Sequence, residues 1–286
     1  MNALDSVVTY GRMIRFSHSI FALPFAFSGA ALAATRSGMT LAQVGWIALA
    51  MVGARSAAMG FNRLVDRHID AANPRTRQRE LPRGSLSPLA VAAFVAASAA
   101  ALVLAARALN PLCFHLSPLA LAAVFAYSYT KRITWASHLV LGACLGLAPL
   151  GAWLAVAGSF DLAPVVLALA VTCWVAGFDI LYACQDEAFD RQFGLHSIPA
   201  RLGAAWSLRL ARVLHGATVA LMLAVGQLLV LGLIYTGGVA LIGGLLVYEH
   251  WLVRPADLSR VNTAFMTMNS LVSVAYFAFT LADLLL

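Results

Sequence analysis

Charged side chains are scarce in this sequence, since Asp, Glu, Lys and Arg make up only 11% of its 286 residues. Soluble domains carry roughly 25% charged residues, so this scarcity argues against a soluble protein. No polar block is long enough for a separate soluble domain, and 62% of the residues are hydrophobic. We therefore expect one membrane domain that covers residues 1–286.

Paired cysteines are also missing from the chain. The four cysteines stand singly inside apolar runs and form no C-x-x-C pair. This argues against a zinc site and a disulfide framework, and a single cysteine in such a run behaves as a small apolar residue. The first apolar run lacks a convincing cleavage site and leads straight into a second, so we expect no cleaved signal peptide.

Long apolar runs fill most of the sequence. A bilayer core of about 30 Å takes about 20 helical residues. Nine runs meet this length, and the predicted spans are 17–35, 40–61, 88–107, 111–129, 136–157, 161–183, 207–231, 233–251 and 263–284. Helices satisfy their own backbone hydrogen bonds in lipid, so the predicted fold class is all-α and polytopic.

Positive charge is distributed unevenly between the two ends of these spans. The side opposite the N-terminus holds only Arg36 and Arg107, and Arg55 lies within a span. The net charge of +7 therefore indicates membrane topology and not a nucleic-acid partner. Since Lys and Arg stay in the cytosol, we expect a bacterial inner-membrane protein with a cytosolic N-terminus and two long cytosolic loops, 63–87 and 184–206.

The first of these loops begins with a polar cluster at helical spacing. Asn62, Asp66 and Asp70 stand at positions i, i+4 and i+8, so they share one helix face at the end of the second span. Two carboxylates at this spacing repel each other unless a cation lies between them. Mg²⁺ is the natural candidate, because it binds one or two carboxylates together with substrate phosphates.

A second acidic cluster closes the sixth span. Asp179, Asp186 and Asp190 are separated by seven and four residues and again share one face. Two facing clusters could hold two metal ions, each bridging to one diphosphate. The alternative is that both are solvated helix ends at the membrane surface. Two such clusters at matching ends of the bundle favour the metal site.

Basic residues accompany both clusters. Arg55 lies seven residues before Asn62 and within a span, where a charge is costly and by default functional. The following loop carries four further arginines, whose fork geometry suits phosphate: Arg75, Arg77, Arg79 and Arg83. A patch that binds anionic lipid is the alternative for this loop.

Two further groups of polar residues lie near the same end of the spans. Tyr127, Lys131 and Arg132 end the fourth span, where interfacial anchoring is the alternative to phosphate binding. Arg15 lies one turn before His18 on the N-terminal helix, and the pair could hold an anionic co-substrate. The alternative for Arg15 is a positive-inside anchor.

Taken together, these motifs resemble the UbiA superfamily of intramembrane prenyltransferases over essentially the whole chain. The family pattern N-x-x-x-D-x-x-x-D matches Asn62, Asp66 and Asp70. The second pattern, D-x-x-Y-x-x-x-D-x-x-x-D, matches Asp179, Tyr182, Asp186 and Asp190, and Y-x-x-x-K matches Tyr127 and Lys131. Both acidic motifs in this order are far more specific than either alone.

The resemblance implies a helical bundle around a central cavity with a cytosolic cap, and loss of diphosphate from a polyprenyl donor with Mg²⁺ as cofactor. The implied metal ligands are Asn62, Asp66, Asp70, Asp179, Asp186 and Asp190. The implied catalytic residues are Asp66, Asp70, Asp186, Asp190 and Lys131. The implied diphosphate ligands are Arg55, Asn62, Arg75, Arg79, Tyr127, Lys131 and Arg132. The residues expected at the aromatic carboxylate acceptor are Arg15, His18, Asp179 and Tyr182.

Two departures from the family pattern bear on the acceptor. His196 stands where a lysine is common, and the first motif lacks the Asn-Asp opening of the ubiquinone enzymes. The stretch NRLVDRHIDAANPRT resembles the branch that acts on 1,4-dihydroxy-6-naphthoate in menaquinone synthesis. We therefore expect that acceptor, with 4-hydroxybenzoate in ubiquinone synthesis as the alternative.

Two other classes of membrane protein compete with this hypothesis. A secondary transporter also carries intramembrane charges, but its acids usually lie near the midplane. A CDP-alcohol transferase would show a D-G-x-x-A-R run, which the sequence lacks. Release of diphosphate from a prenyl donor would distinguish the three classes.

Overall fold

The computed structural model describes residues 3–254 and 257–286, and over those residues it is helical with no strand longer than an isolated bridge. An N-terminal helix, α1, covers Ala3–Met13. The other helices are α2 Ser19–Ser37, α3 Leu41–Ala72, α4 Pro88–Leu109, α5 Pro111–Thr130, α6 Ser137–Ala157, α7 Leu162–Ala183, α8 Glu187–Gln192, α9 Ile198–Leu229, α10 Leu233–Leu252 and α11 Val261–Leu285.

Nine segments within the described residues are long and apolar enough to cross a membrane, as the sequence predicts. They are α2 to α7 and α9 to α11, with α2 preceded by a 3₁₀ turn at Phe16–His18 and α7 continued through α8. The polytopic all-α prediction is therefore confirmed. The prediction of a single domain over 1–286 includes residues 1, 2, 255 and 256, which lie outside the described part.

The two predicted loops are shorter than the sequence indicated. Helix α3 continues to Ala72, and α9 already begins at Ile198, so polar residues assigned to the loops lie on helices. Hydropathy marks where a helix leaves lipid, but it does not mark where the helix ends. Both helices project beyond their apolar parts, and the projecting turns carry polar side chains.

Local capping explains where several helices begin. The Thr40 side chain accepts a hydrogen bond from the Gln43 N–H at 3.2 Å, and the Gln43 side chain accepts one from the Thr40 N–H at 2.9 Å. This capping box starts α3. Helices α4 and α5 begin with Ser87-Pro88 and Asn110-Pro111, which place a capping side chain before a proline at the first helical position.

Helices α6 and α7 approach closely because glycine faces the backbone of the neighbouring helix. A Cβ atom added at Gly142 would lie 2.3 Å from the Thr172 carbonyl oxygen, and one added at Gly146 would lie 2.5 Å from that of Ala168. Small residues allow helix backbones to approach in this way within membranes. The contact fixes α7, which carries the second acidic motif, against α6.

Large apolar side chains are packed on one side of the bundle. The core contains Phe25 of α2, Trp153 of α6, Trp174 of α7 and Tyr276 of α11, each at most 1% exposed. On the other side, α3 to α6 surround an apolar cavity of about 240 Å³. The predicted central cavity is therefore present, and it lies between α3, α4, α5 and α6.

The close approach of α6 and α7 predicts the effect of a single methyl group. Gly142→Ala should lower the free energy of unfolding by about 1–3 kcal/mol, because the new Cβ overlaps a backbone oxygen that cannot rotate away. The measurement is thermal unfolding of the purified protein in detergent. Gly151→Ala in the same helix is the matched control, since a Cβ there meets no atom within 4 Å. Equal melting temperatures for the two variants would contradict this packing.

Candidate active site

The first acidic motif lies on one face of the last turns of α3. Asp66 and Asp70 are 2% and 4% exposed, so both carboxylates are buried although they lie near the helix end. A buried carboxylate is stable only when it is paired and hydrogen-bonded. The partners of each acid therefore define the site.

Asp66 is held by the turn that follows α5. Lys131 Nζ lies 2.6 Å from one carboxylate oxygen, and an Arg132 guanidinium nitrogen lies 2.8 Å from the other. The Asn62 side chain donates a third hydrogen bond at 3.0 Å. The sequence therefore identified residues that do meet, although Lys131 and Arg132 lie 65 and 66 positions from Asp66.

Asp70 is held by the loop that follows α3. Arg79 donates from one guanidinium nitrogen to both carboxylate oxygens, at 2.7 and 2.8 Å. The Thr76 hydroxyl donates to the Asp70 carbonyl oxygen at 3.0 Å. These contacts fold the loop 73–87 back over the end of its own helix.

The same loop reaches the second acidic motif. Arg75 donates to Asp186 from Nε at 2.9 Å and also from its NH2 group, and Asn73 donates to the same carboxylate at 3.3 Å. Arg75 further donates to the Tyr182 hydroxyl at 3.1 Å. Burial alone would lower the pKa of Arg75, but the hydrogen bond and charge of Asp186 raise this pKa above its usual value. One loop thus joins both acidic motifs.

The other two acids of the second motif have separate partners. Asp190, in α8, lies close to the Ser197 side chain. Asp179 lies 2.7 Å from His138 Nδ1. The His138 Nε2 atom accepts the Ile198 N–H at 3.4 Å, so the ring proton is on Nδ1 and is donated to Asp179.

The apolar cavity opens onto the first motif. Asn62, Arg55 and Tyr127 line it, and the remaining lining side chains that the structure describes are uncharged. Arg55 donates to the Arg15 carbonyl oxygen at 3.3 Å, while its Nε–H is buried without a hydrogen-bond partner. A guanidinium with an unpaired donor therefore lies in the wall of an otherwise apolar chamber.

Arg15 and His18 lie next to the apolar cavity but do not line it. Both line a surface pocket of about 470 Å³ next to α1, and neither is among the residues that line the apolar cavity. Arg15 has a left-handed backbone with φ of 47°, and the His18 ring packs against Phe21 and Phe265. Arg15 therefore meets Arg55 through its backbone carbonyl oxygen, but the side chains of Arg15 and His18 lie outside the apolar cavity.

Protein cations, and not only a metal ion, offset the repulsion expected within the first motif. Lys131 and Arg132 pair with Asp66, and Arg79 pairs with Asp70. Within a single helix, Mg²⁺ is the natural candidate for this role. Pairing between distant segments supplies the same neutralisation.

The donor atoms of the site fit a hard cation such as Mg²⁺. Within residues 3–254 and 257–286, no three side chains of His, Cys, Asp or Glu are grouped closely enough to hold a metal by themselves. Mg²⁺ usually binds one or two carboxylates and completes its shell with water and substrate phosphate. The carboxylates and amides of the two motifs supply oxygen donors of this kind.

Three residues at the site were not identified from the sequence. Asn73 reaches Asp186, His138 orients Asp179, and Arg63, only 5% exposed, donates to the Met13 carbonyl oxygen at 3.2 Å. The sequence offers one indication for Arg63, because this basic residue directly follows Asn62 of the first motif. The partners of Asn73 and His138 lie 113 and 41 positions away, so no local spacing indicates them.

Comparison with known sequences gives consistent results. Residues 22–271 match the model of the UbiA prenyltransferase family. A 4-hydroxybenzoate octaprenyltransferase of Vibrio cholerae is 34% identical over 218 residues, which cover 75% of each chain. The enzyme of the same name from Pseudoalteromonas translucida is 32% identical over 231 residues, which cover 80% of this chain and 78% of that one.

Solved structures give the same architecture. A UbiA homolog from Aeropyrum pernix K1, solved in the apo state, superposes with a TM-score of 0.85 and 38% identity over 93% of this chain and 98% of that one. A UbiA homolog from Archaeoglobus fulgidus bound to GPP and Mg²⁺ gives a TM-score of 0.73 at 20% identity, over 97% and 100% of the two chains. The second similarity concerns the fold alone.

The contacts of Asp66 predict its contribution to stability. Asp66→Asn should lower the free energy of unfolding by about 1–3 kcal/mol, because two cations lose their buried partner. The measurement is thermal unfolding without added metal or substrate. Asp161→Asn, which breaks the exposed pair with Arg36 at the other end of the bundle, is the control and should change stability by less than about 1 kcal/mol. A more stable Asp66→Asn protein would show that repulsion between the acids outweighs their pairing.

Proposed function

Because the chain belongs to the UbiA prenyltransferase family, we propose that it transfers a polyprenyl group from a polyprenyl diphosphate to an aromatic carboxylate, with 4-hydroxybenzoate as the favoured acceptor. The observation that carries this proposal is the position of Asn62. Its side chain lines the apolar cavity and donates to Asp66 in the charged cluster. A charged head and an apolar tail of one substrate would therefore find adjoining sites.

Diphosphate binding is assigned to the cations of the cluster. Lys131, Arg132, Arg79 and Arg75 already lie within hydrogen-bond distance of the acids of both motifs. An arriving diphosphate offers these cations a second anionic partner, and the guanidinium forks suit its oxygens. The same contacts stabilise the negative charge that develops as the diphosphate leaves.

Magnesium is the proposed cofactor. Asp66 and Asp70 with Asn62, and Asp186 and Asp190 from the second motif, are the residues that would hold it. When bound, Mg²⁺ would neutralise the leaving diphosphate as a Lewis acid. Asp179, which is held by His138, is placed with these ligands by the sequence motif and not by a contact to the other acids.

The polyprenyl tail is assigned to the cavity between α3, α4, α5 and α6. Its walls are mainly Ala and Leu side chains, which offer no lone pair to an allylic cation. Exclusion of water protects such a reactive species until the acceptor ring attacks it. Tyr127, at the charged end of the cavity, places a ring beside the expected point of bond cleavage.

The acceptor's carboxylate is assigned to Arg55. This residue is the charged side chain among those that line the cavity, and its unpaired Nε–H needs an acceptor. An unpaired buried donor costs about 1–3 kcal/mol, which a carboxylate would recover. Arg15 and His18 line a different pocket, so Arg55 is better placed for this role.

The names of the relatives, and not the NRLVDRHIDAANPRT stretch, support the proposed acceptor. The curated relatives reported above are named 4-hydroxybenzoate octaprenyltransferases. Our sequence-based preference for 1,4-dihydroxy-6-naphthoate gains no support from them. The benzoate alternative is therefore the one we adopt, together with a site that faces the cytosol, as the distribution of Lys and Arg favours.

Acid-to-amide variants test the role of the two motifs. Replacing Asp66, Asp70, Asp186 or Asp190 singly by Asn should lower kcat by more than about 100-fold, because each variant loses a carboxylate that would hold Mg²⁺ at the diphosphate. Chelation of Mg²⁺ should stop turnover of the wild-type protein, and added Mg²⁺ should restore it. Asp161→Asn is the control and should retain full activity. Near-normal kcat in all four variants would exclude the metal site.

Competition between acceptors tests the substrate. Purified protein receives equal amounts of 4-hydroxybenzoate and 1,4-dihydroxy-6-naphthoate with one polyprenyl diphosphate and Mg²⁺, and mass spectrometry identifies the products. Prenylated benzoate should predominate. Predominance of the prenylated naphthoate would overturn the proposed acceptor but not the prenyl transfer.

Arg55→Gln locates the acceptor's carboxylate. It should raise the acceptor KM by about ten-fold or more, because a charged hydrogen bond is lost, and it should leave the donor KM nearly unchanged. Arg15→Gln is the matched control and should alter neither constant. If Arg55→Gln raised only the donor KM, Arg55 would be a diphosphate ligand, as the sequence motif alone suggests.

A further inference from the structure

A buried polar network lies between α7, α10 and α11, outside the site described above. Its centre is Asn269, and both Asn269 and Glu249 are 0% exposed. Trp174 Nε1 donates to Asn269 Oδ1 at 2.8 Å, and Asn269 Nδ2 donates to Glu249 Oε1 at 2.9 Å. An acid in a membrane-spanning helix is costly and is by default functional.

The network holds an irregular turn at the start of α11. Residues Ala264–Met268 form a π-helix, a rare conformation that often marks functional sites. Asn269 Nδ2 also lies 3.1 Å from the Phe265 carbonyl oxygen and 3.4 Å from that of Ala264. The amide therefore ties the π turn to α10 through Glu249 and to α7 through Trp174.

The π-helical conformation of this turn fixes the position of the Phe265 side chain. The Phe265 ring centroid lies 4.4 Å from that of Tyr182 and 5.4 Å from that of Phe178. Tyr182 in turn accepts a hydrogen bond from Arg75, whose guanidinium carbon lies 5.2 Å from the Tyr182 ring centroid. A regular α-helical turn would rotate the side chain at position 265 away from this contact.

We propose that Asn269 and Glu249 are positioning residues for the diphosphate half of the site, acting through Phe265, Tyr182 and Arg75. This inference rests on the function proposed above. The carboxylate of Glu249 fixes Asn269, the amide fixes the π turn, and the Phe265 ring supports the tyrosine that carries Arg75. Arg75 then holds Asp186 and the loop 73–87 in register.

Two kinds of variant separate this role from simple packing. Glu249→Leu and Asn269→Leu should raise the donor KM about three- to thirty-fold and leave the acceptor KM unchanged, as expected for a coupled but distant pair. Glu249→Gln keeps an oxygen for the Asn269 amide and should retain the wild-type donor KM. In an Arg75→Ala background, Asn269→Leu should change the donor KM less than about two-fold, because its route to the site is already lost.

Tyr276→Phe is the matched structural control. Tyr276 and Tyr235 join α11 to α10 through hydroxyls 3.1 Å apart, and Tyr276 lies about two helical turns beyond the π turn. This variant should lower the melting temperature and leave the donor KM unchanged. If it raised the donor KM as much as Asn269→Leu does, or if the Arg75→Ala and Asn269→Leu effects multiplied, the positioning role would be refuted.

Hydrogen exchange tests the inference independently of the reaction. Asn269→Leu should accelerate amide exchange in residues 73–80 of the substrate-free protein, whereas Tyr276→Phe and Glu249→Gln should not. Unchanged exchange in Asn269→Leu would overturn the inference even if the enzyme turns over as proposed. Accelerated exchange in a protein without prenyl transfer would overturn the proposed function and leave the mechanical link intact.

Discussion

The structure depends on the neutralisation of acids that are buried near the ends of membrane-spanning helices. Asp66 and Asp70 are almost inaccessible, and each would be too costly to bury without a cation beside it. The turn after α5 and the loop after α3 supply those cations. Charge pairing therefore sets the positions of the end of α3, the turn after α5 and the loop after α3 relative to one another.

The apolar part of the fold complements this arrangement. Large aromatic side chains fill one side of the bundle, between α2, α6, α7, α9, α10 and α11. The other side, between α3 and α6, retains a chamber that ends at the charged cluster. The packed side also carries the second acidic motif, on α7 and the turns after it, so the two motifs belong to different halves of the bundle and the loop 73–87 joins them.

Local sequence patterns predicted much of this structure. Hydropathy gave the spans, and the spacing of Asn62, Asp66 and Asp70 gave their common face. The two motifs in order predicted a metal-dependent prenyltransferase, and the family comparison confirms the prenyltransferase class. The pairing of Asp179 with His138, the free donor of Arg55 and the π turn beside Phe265 could not be predicted. Each depends on segments that are distant in sequence, and hydropathy does not distinguish a helix end from a loop.

The length of α3 determines how far its two acids, Asp66 and Asp70, lie from the centre of the membrane. Its 32 residues extend about 48 Å at 1.5 Å per residue, whereas the hydrocarbon core is about 30 Å thick. The surplus of about 18 Å carries Asp66 and Asp70 beyond the acyl chains, to the depth of the lipid headgroups. The proposed polyprenyl diphosphate would thus present its polar head without leaving its own leaflet, and the proposed benzoate acceptor would not have to dissolve in the membrane. The two acids therefore lie at the boundary between lipid and water, and the length of α3 sets their height relative to that boundary.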